Sequence, residues 1–193
     1  MAENFITYLD CDVICLSNPL SALDKVYKTM SSEKKHVSFN TEINRGDGYK
    51  YFDDLSLEGD KYFNAGVMIF NPIEWKNLNV KDKALNLIPK IKEKAIFWDQ
   101  DILNIIFDNN YFELPDELNS RSREKEITNL IFHHFSGKHK PWTIKGFDQK
   151  YSLDFHQFYK YIYRSRYLIT TSNFKNGRKH LGSYLIKKFK FDL

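Results

Sequence analysis

The sequence predicts an α/β fold in which a mixed sheet is flanked by helices. Three observations carry this reading. An apolar run begins almost at the N-terminus and ends in two carboxylates, Asp10 and Asp12. A second strongly apolar run covers residues 61–71 and stops at Pro72. Between and after these runs, apolar residues recur at three- and four-residue steps. Alternation of the two periodicities is the pattern of strands covered by helices.

In order, residues 5–15 read as one buried strand, and Ser17-Asn18-Pro19 as a turn leading into a helix over residues 21–30. Residues 37–39 are a short strand. Residues 40–61 are polar and carry Gly46, Gly48 and Gly59, so a long loop with little regular structure is expected. Residues 61–71 form a strand pair or a strand kinked at Gly66. Val80, Ala84, Leu87, Ile88 and Ile91 share one helical face despite Pro89. Asp99 is placed to cap a helix running to Phe107. Residues 111–115 form a short extended piece, residues 119–128 a polar loop and residues 129–134 a further strand.

A chain of 193 residues with 42% hydrophobic and 16% aromatic content can bury one sizeable core. Cys11 and Cys15 lie on one side of the first strand, which suits two buried thiols in a reducing cytoplasm rather than a disulfide. The first residues lack a signal-peptide pattern, and no run reaches the length of a membrane span. The charge is uneven: residues 160–193 carry +8 and the remainder −4. Tyr, Phe, Lys and Arg interleave in that tail. The expected division is a catalytic part over residues 1–145 and a basic, aromatic, helical tail over residues 146–193. Such a tail suits an anionic surface, either phospholipid headgroups or nucleic acid, and a solvated basic helix is the plain alternative.

The chemistry lies in four segments. Asp10 and Asp12, two apart on an extended chain, would share a face that can hold a hard cation. On residue types alone an Asp-x-Asp usually marks a solvated turn. Asn64-Ala65-Gly66 interrupts an apolar strand with a polar residue and a flexible one, which costs stability unless it serves a ligand or network. Trp98-Asp99-Gln100-Asp101 opens a helix, whose N-terminal dipole favours anions. His134-Phe135-Ser136-Gly137-Lys138-His139-Lys140-Pro141-Trp142 combines an imidazole, a glycine turn and a cation.

In this order, across residues 5–142, the segments resemble glycosyltransferase family 8, a family of retaining, manganese-dependent enzymes that includes lipopolysaccharide galactosyl- and glucosyltransferases. The resemblance implies a GT-A-like (Rossmann-like) fold and transfer of a hexose from a UDP-sugar to a lipopolysaccharide or other glycan. It implies Asp10, Asp12 and His134 as ligands of Mn2+ or Mg2+, with His133 pointing away. It places Asn64, Ala65 and Gly66 at the donor sugar, and Gly137 and Lys140 at the diphosphate, with Asp10 shared between metal and donor. It places Asp99 and Gln100 beside the donor and acceptor sugars, with Asp101 a further catalytic candidate, and gives Trp142 a packing role. The cytosol, with peripheral attachment to the inner face of the cell membrane, is the expected location, and no nucleic-acid partner is expected.

Only nine residues precede Asp10, where family members carry the first strands of the sheet and much of the uracil and ribose site. The expectation is therefore a truncated domain with impaired activity, an inactive fragment or part of a split enzyme. Asn40 stands where the family often has an acid near the donor sugar, which leaves donor preference open. A haloacid-dehalogenase-like phosphatase also places Asp-x-Asp after a strand, but leaves the segment from His134 to Trp142 unexplained.

Overall fold

The computed structural model describes residues 5–121, 127–143 and 145–163. Most of the basic tail, and with it the expected contact with an anionic surface, lies outside the described residues. The architecture is the expected mixed sheet with flanking helices. Its centre is β4 (Lys61–Phe70), which pairs antiparallel with β1 (Ile6–Leu9) on one side and with β3 (Val37–Asn44) on the other. A parallel β5 (Phe112–Glu113) extends β3, giving the order β1-β4-β3-β5. A separate antiparallel ladder joins β2 (Val13–Cys15) to β6 (Phe132–His134).

One face of the sheet is covered by α1 (Leu20–Ser32), whose Val26 and Met30 pack on Val67 and Ile69. Against the other face, Phe39 and Phe63 stack with ring centroids 3.8 Å apart, beneath Val80 of α4 (Val80–Ile91) and Phe107 after α5 (Asp99–Ile106). Phe63 and Val67 have the same parity along β4 yet join different clusters. The β3–β4 register shifts between the pairs Ser38↔Ile69 and Asn40↔Asn64, so the strand changes phase around Gly66. A local irregularity of this kind re-aims side chains, here those of the site.

Four expectations change. Residues 5–15 are not one strand: the chain turns at Asp10, Cys11 and Asp12, where Val13 N–H bonds Asp10 C=O at 3.1 Å, and β2 leaves for β6. Nor is β1 buried. It is an edge among the described residues, and Ile6, Tyr8 and Leu9 are exposed by 48%, 42% and 40%. Cys11 in the turn and Cys15 are free and exposed rather than buried.

The expected loop over residues 40–61 is instead ordered. β3 continues to Asn44, a 3-10 turn and the short α2 (Tyr51–Asp54) follow, and the Arg45 guanidinium donates to the carbonyls of Leu57 and Gly59. Phe52, Leu55 and Leu57 bury themselves on Tyr62. A short helix missed in the sequence, α3 (Pro72–Asn77), is capped by the Asn71 side chain accepting from Ile73 and Glu74 N–H. Pro72, read as a strand stop, is also a favoured first helical residue.

α6 (Ser152–Tyr163) packs back on the site segment. His156 is fully buried and its Nε2 bonds Pro141 C=O at 3.0 Å, while Phe155 and Trp142 rings meet at 5.5 Å. Burial pushes the His156 imidazole down to about 4, against the opposing pull of the Pro141 carbonyl, so it is neutral at pH 7 and donates. Pro141 and Trp142 are thereby fixed beside Lys140. Among the described residues, no helix is long and apolar enough to cross a membrane.

Candidate metal and donor site

The end of β1 and the start of β2 deliver the two carboxylates. Asp10 N–H bonds Gly66 C=O at 2.8 Å, continuing the β1–β4 ladder by one step, and the tight turn then swings Asp12 inward. It is thus a turn, not a shared strand face, that brings the pair together. β6 lies in register with β2 so that His134 faces Val13, and Phe135 N–H bonds Asp12 C=O at 3.0 Å. His134 Nε2 consequently lies 3.4 Å from Asp12 Oδ1 and 3.9 Å from Asp10 Oδ2. Asp10, Asp12 and His134 each offer a ligand atom within 4.8 Å of the others. His133 alternates to the opposite face, against Phe135 and Tyr151.

The His134 ring is held by a buried amide network. Asn64 Oδ1 accepts from Gly66 N–H at 3.0 Å and Asn119 Nδ2 at 3.1 Å, and it lies 3.1 Å from His134 Nδ1. An amide oxygen can only accept, so Nδ1 carries a proton and Nε2 is the nitrogen turned to the carboxylates, where a bound cation would take its lone pair. An acceptor on the far nitrogen fixes the ring angle of a metal-binding imidazole. Gly66 is required by the same ring: an added Cβ would lie 2.6 Å from Nδ1 and 2.8 Å from Nε2. Close approach, rather than backbone conformation, makes this position glycine.

Burial pushes the Asp10 carboxyl up, although its hydrogen bond from Tyr8 at 2.8 Å opposes this. The same bond, with burial, raises the Tyr8 phenol to about 12. Burial pushes Asp12 the same way, but His134 and Lys140 outweigh it and hold Asp12 below the usual carboxylate range. Lys140 Nζ bonds Asp12 Oδ2 directly and Phe135 C=O at 2.9 Å. The donor set of two carboxylates and one imidazole is compatible with a divalent cation.

Beside this cluster opens a cleft of about 540 Å³, within the usual range for a small-molecule site. Asn64, Ala65 and Gly66 floor it, with Gly137 and Lys140 at the metal end. Gly137 adopts φ 79° and a Cβ there would meet nothing within 4 Å, so its turn, not crowding, calls for glycine. Gln100 Oε1 accepts from Asn64 Nδ2 at 3.0 Å and Ala65 N–H at 3.2 Å, which locks its amide over the floor.

Asp99 lies exposed on the rim. It is the first residue of α5 rather than its cap, a position taken by Trp98 with φ 47°. Asp101 is 1% exposed and accepts from Tyr62 Oη at 2.5 Å and from Ile96 and Phe97 N–H at 2.7 Å each.

Sequence reasoning missed Glu42, Tyr62, Asn119 and Arg121. Tyr62 sits two residues before Asn64 in the same apolar run, and its neighbours were the available signal. Asn119 and Arg121 lie in a stretch read as a polar loop, where nothing in residue type distinguished them. Glu42 was hidden in the expected loop after residue 39.

The family description "Glycosyl transferase family 8" matches residues 4–146. The chain belongs to glycosyltransferase family 8. A putative glycosyltransferase of Haemophilus influenzae is 31% identical over 105 residues, covering 49% of this chain and 32% of the relative. Lipopolysaccharide glucosyltransferase WaaO of Escherichia coli is 24% identical over 200 residues, covering 96% of this chain and 58% of WaaO. Among solved structures, galactosyltransferase LgtC with donor and acceptor sugar analogues superposes with a TM-score of 0.60 at 20% identity, covering 72% of this chain and 55% of LgtC. At that identity LgtC shows the fold, which is GT-A-like. This family 8 chain spans 58% of WaaO and smaller shares of other relatives, such as 19% of glycosyltransferase GlyA of Streptococcus pneumoniae. Membership leaves the phosphatase reading without support.

Proposed function

We propose that this chain carries the metal, diphosphate and sugar part of a retaining hexosyltransferase acting from a UDP-sugar on a lipopolysaccharide-type or other glycan acceptor in the cytoplasm. The observation that supports it is the convergence of Asp10, Asp12 and His134, with Lys140, at one end of a cleft whose floor is locked by Asn64 and Gln100. Bound Mn2+ would neutralise the charge that develops on the departing UDP. Asp10, Asp12 and His134 Nε2 would hold it.

The protein groups divide the remaining work. Lys140, anchored by Phe135 C=O, supplies a second positive charge at the diphosphate end. The open left-handed turn at Gly137 lets backbone face the phosphates. Asn64 and Gln100 orient the donor sugar; their amides are already tied to one another and to Ala65, so little freedom is lost on binding. Asp99 faces the mouth where an acceptor hydroxyl arrives. Ile96, Phe97 and Trp98 are exposed there by 54%, 42% and 62%, an apolar shelf suited to a sugar ring face. In this reading Asp101 is a positioning residue, because its carboxylate is spent on Tyr62 and on the backbone of that shelf.

The share of its relatives that the chain spans supports expecting weak donor binding and slow turnover by these residues alone. The test is release of free hexose from UDP-hexose by the purified 193-residue chain. Slow release that requires Mn2+ and is suppressed by EDTA is expected. Release unaffected by EDTA, or hydrolysis of a simple phosphate monoester in place of the UDP-sugar, would contradict the reading.

A further inference from the structure

The cleft is electrically polar along its length. Lys140 and the candidate metal ligands define its anion-binding end. Among the described lining residues, three carry carboxylates: Asp10, which belongs to the metal cluster, Asp99 on the rim, and Glu42. Glu42 is separated from the cluster by two amides in series. His134 contacts Asn64, Asn64 contacts Gln100, and Gln100 Nε2 donates to Glu42 Oε2 at 3.0 Å.

The Glu42 carboxylate is held in place. Arg121 NH1 lies 3.1 Å from Oε1, and Arg121 NH2 donates to Asn40 Oδ1 at 2.7 Å and Thr41 C=O at 2.9 Å, so one guanidinium is braced across β3 and aimed at Glu42. The Arg121 and Glu42 side chains are only 15% and 29% exposed. Two carboxylate oxygens offer about four acceptor positions. Arg121, Gln100 and a long contact from Asn64 at 3.4 Å leave acceptor capacity toward the cleft.

We propose that Glu42 sets donor-sugar selectivity by accepting hydroxyl hydrogen bonds from a neutral hexose and repelling a sugar that bears a carboxylate. This rests on the UDP-sugar reading above. The charge order decides the placement. A carboxylate set against the diphosphate would oppose binding, whereas beyond Gln100 it meets the sugar hydroxyls, which are donors to an ionised acceptor. A hexuronate presents a second anion to the same wall. Like charges a few ångströms apart in a partly desolvated site disfavour each other by more than a hydroxyl contact gains, so the wall rejects as well as recognises. Arg121 and Gln100 are positioning residues for Glu42. Asn40 serves as an Arg121 acceptor, and Glu42 supplies the charge.

The experiment is competitive calorimetry on the full chain with Mn2+, using UDP, UDP-glucose and UDP-glucuronate against wild type and Glu42→Gln. Glutamine keeps the size and one acceptor oxygen but removes the charge. Wild type should prefer UDP-glucose to UDP-glucuronate by about 10-fold or more, and Glu42→Gln should shrink this ratio to about 3-fold or less. Affinity for UDP itself should be unchanged, and it reports on the fold and the metal end independently. An unchanged selectivity ratio in Glu42→Gln overturns the proposal while leaving the UDP-sugar reading intact. No Mn2+-dependent binding of UDP or any UDP-sugar by wild type would overturn both.

Discussion

Gly66→Ala is expected to lower Mn2+ affinity by about 10- to 100-fold while the chain remains folded. The methyl group would enter the space of the His134 ring, 2.6 Å from Nδ1, and neither side can retreat. Gly66 is fixed by the ladder bond from Asp10 N–H and by the Asn64 side chain, and the His134 backbone is held by β6 pairing. The ring must therefore rotate or shift, which breaks its bond to Asn64 and carries Nε2 away from Asp12. Overpacking of this kind costs about 1–3 kcal/mol of stability. Manganese titration followed by electron paramagnetic resonance, with circular dichroism as the folding control, reads both effects. A variant that binds Mn2+ like wild type would show that His134 is not a ligand.

The sequence revealed this site far better than the chain path that builds it. Asp10, Asp12, His134, Asn64, Gln100, Gly137 and Lys140 were legible because motif order carries chemistry; all but Asp12 line one cleft, and Asp12 is buried beside it in the candidate metal cluster. The strands were legible where apolar runs are long, as in β4. What failed depended on pairing across distance. Nothing local announces that residues 5–15 break at Asp10, because the break is decided by β2 choosing β6 over a continued ladder with β4. Nor does Glu42 stand out in a polar stretch until β3 continues to Asn44 and Arg121 arrives from 79 positions downstream. The ordering of residues 45–60 rests on one guanidinium satisfying two loop carbonyls, a role no composition rule assigns.

Asp101→Ala should destabilise the chain by about 3–5 kcal/mol, because three buried or half-buried donors lose their acceptor together. The Tyr62 hydroxyl, its pKa raised well above the ordinary phenol range first by burial and then by Asp101, cannot relieve the loss by ionising. The Ile96 and Phe97 amides would be released at the same time, and with them the shelf that ends in Trp98 at φ 47°. Such a loss is a large fraction of the stability of an ordinary domain. Urea unfolding should show a clearly lowered midpoint, and hexose release should fall with the folded fraction. Loss of turnover with an unchanged unfolding midpoint would make Asp101 a catalytic residue rather than a positioning one.

The central claim is that Asp10, Asp12 and His134 together hold the cation through which this chain binds a nucleotide diphosphate. Calorimetric titration of UDP into the chain, with Mn2+ and with EDTA, tests it most directly when run on wild type, Asp12→Asn and Asp47→Asn. Asp12 is buried in the cluster, whereas Asp47 caps the turn after β3 by accepting from Asn44 N–H, away from the cleft lining. The account predicts UDP binding that requires Mn2+, is unchanged in Asp47→Asn and is weakened by about 100-fold or more in Asp12→Asn. UDP binding of equal strength in EDTA, or retained in Asp12→Asn, would contradict it.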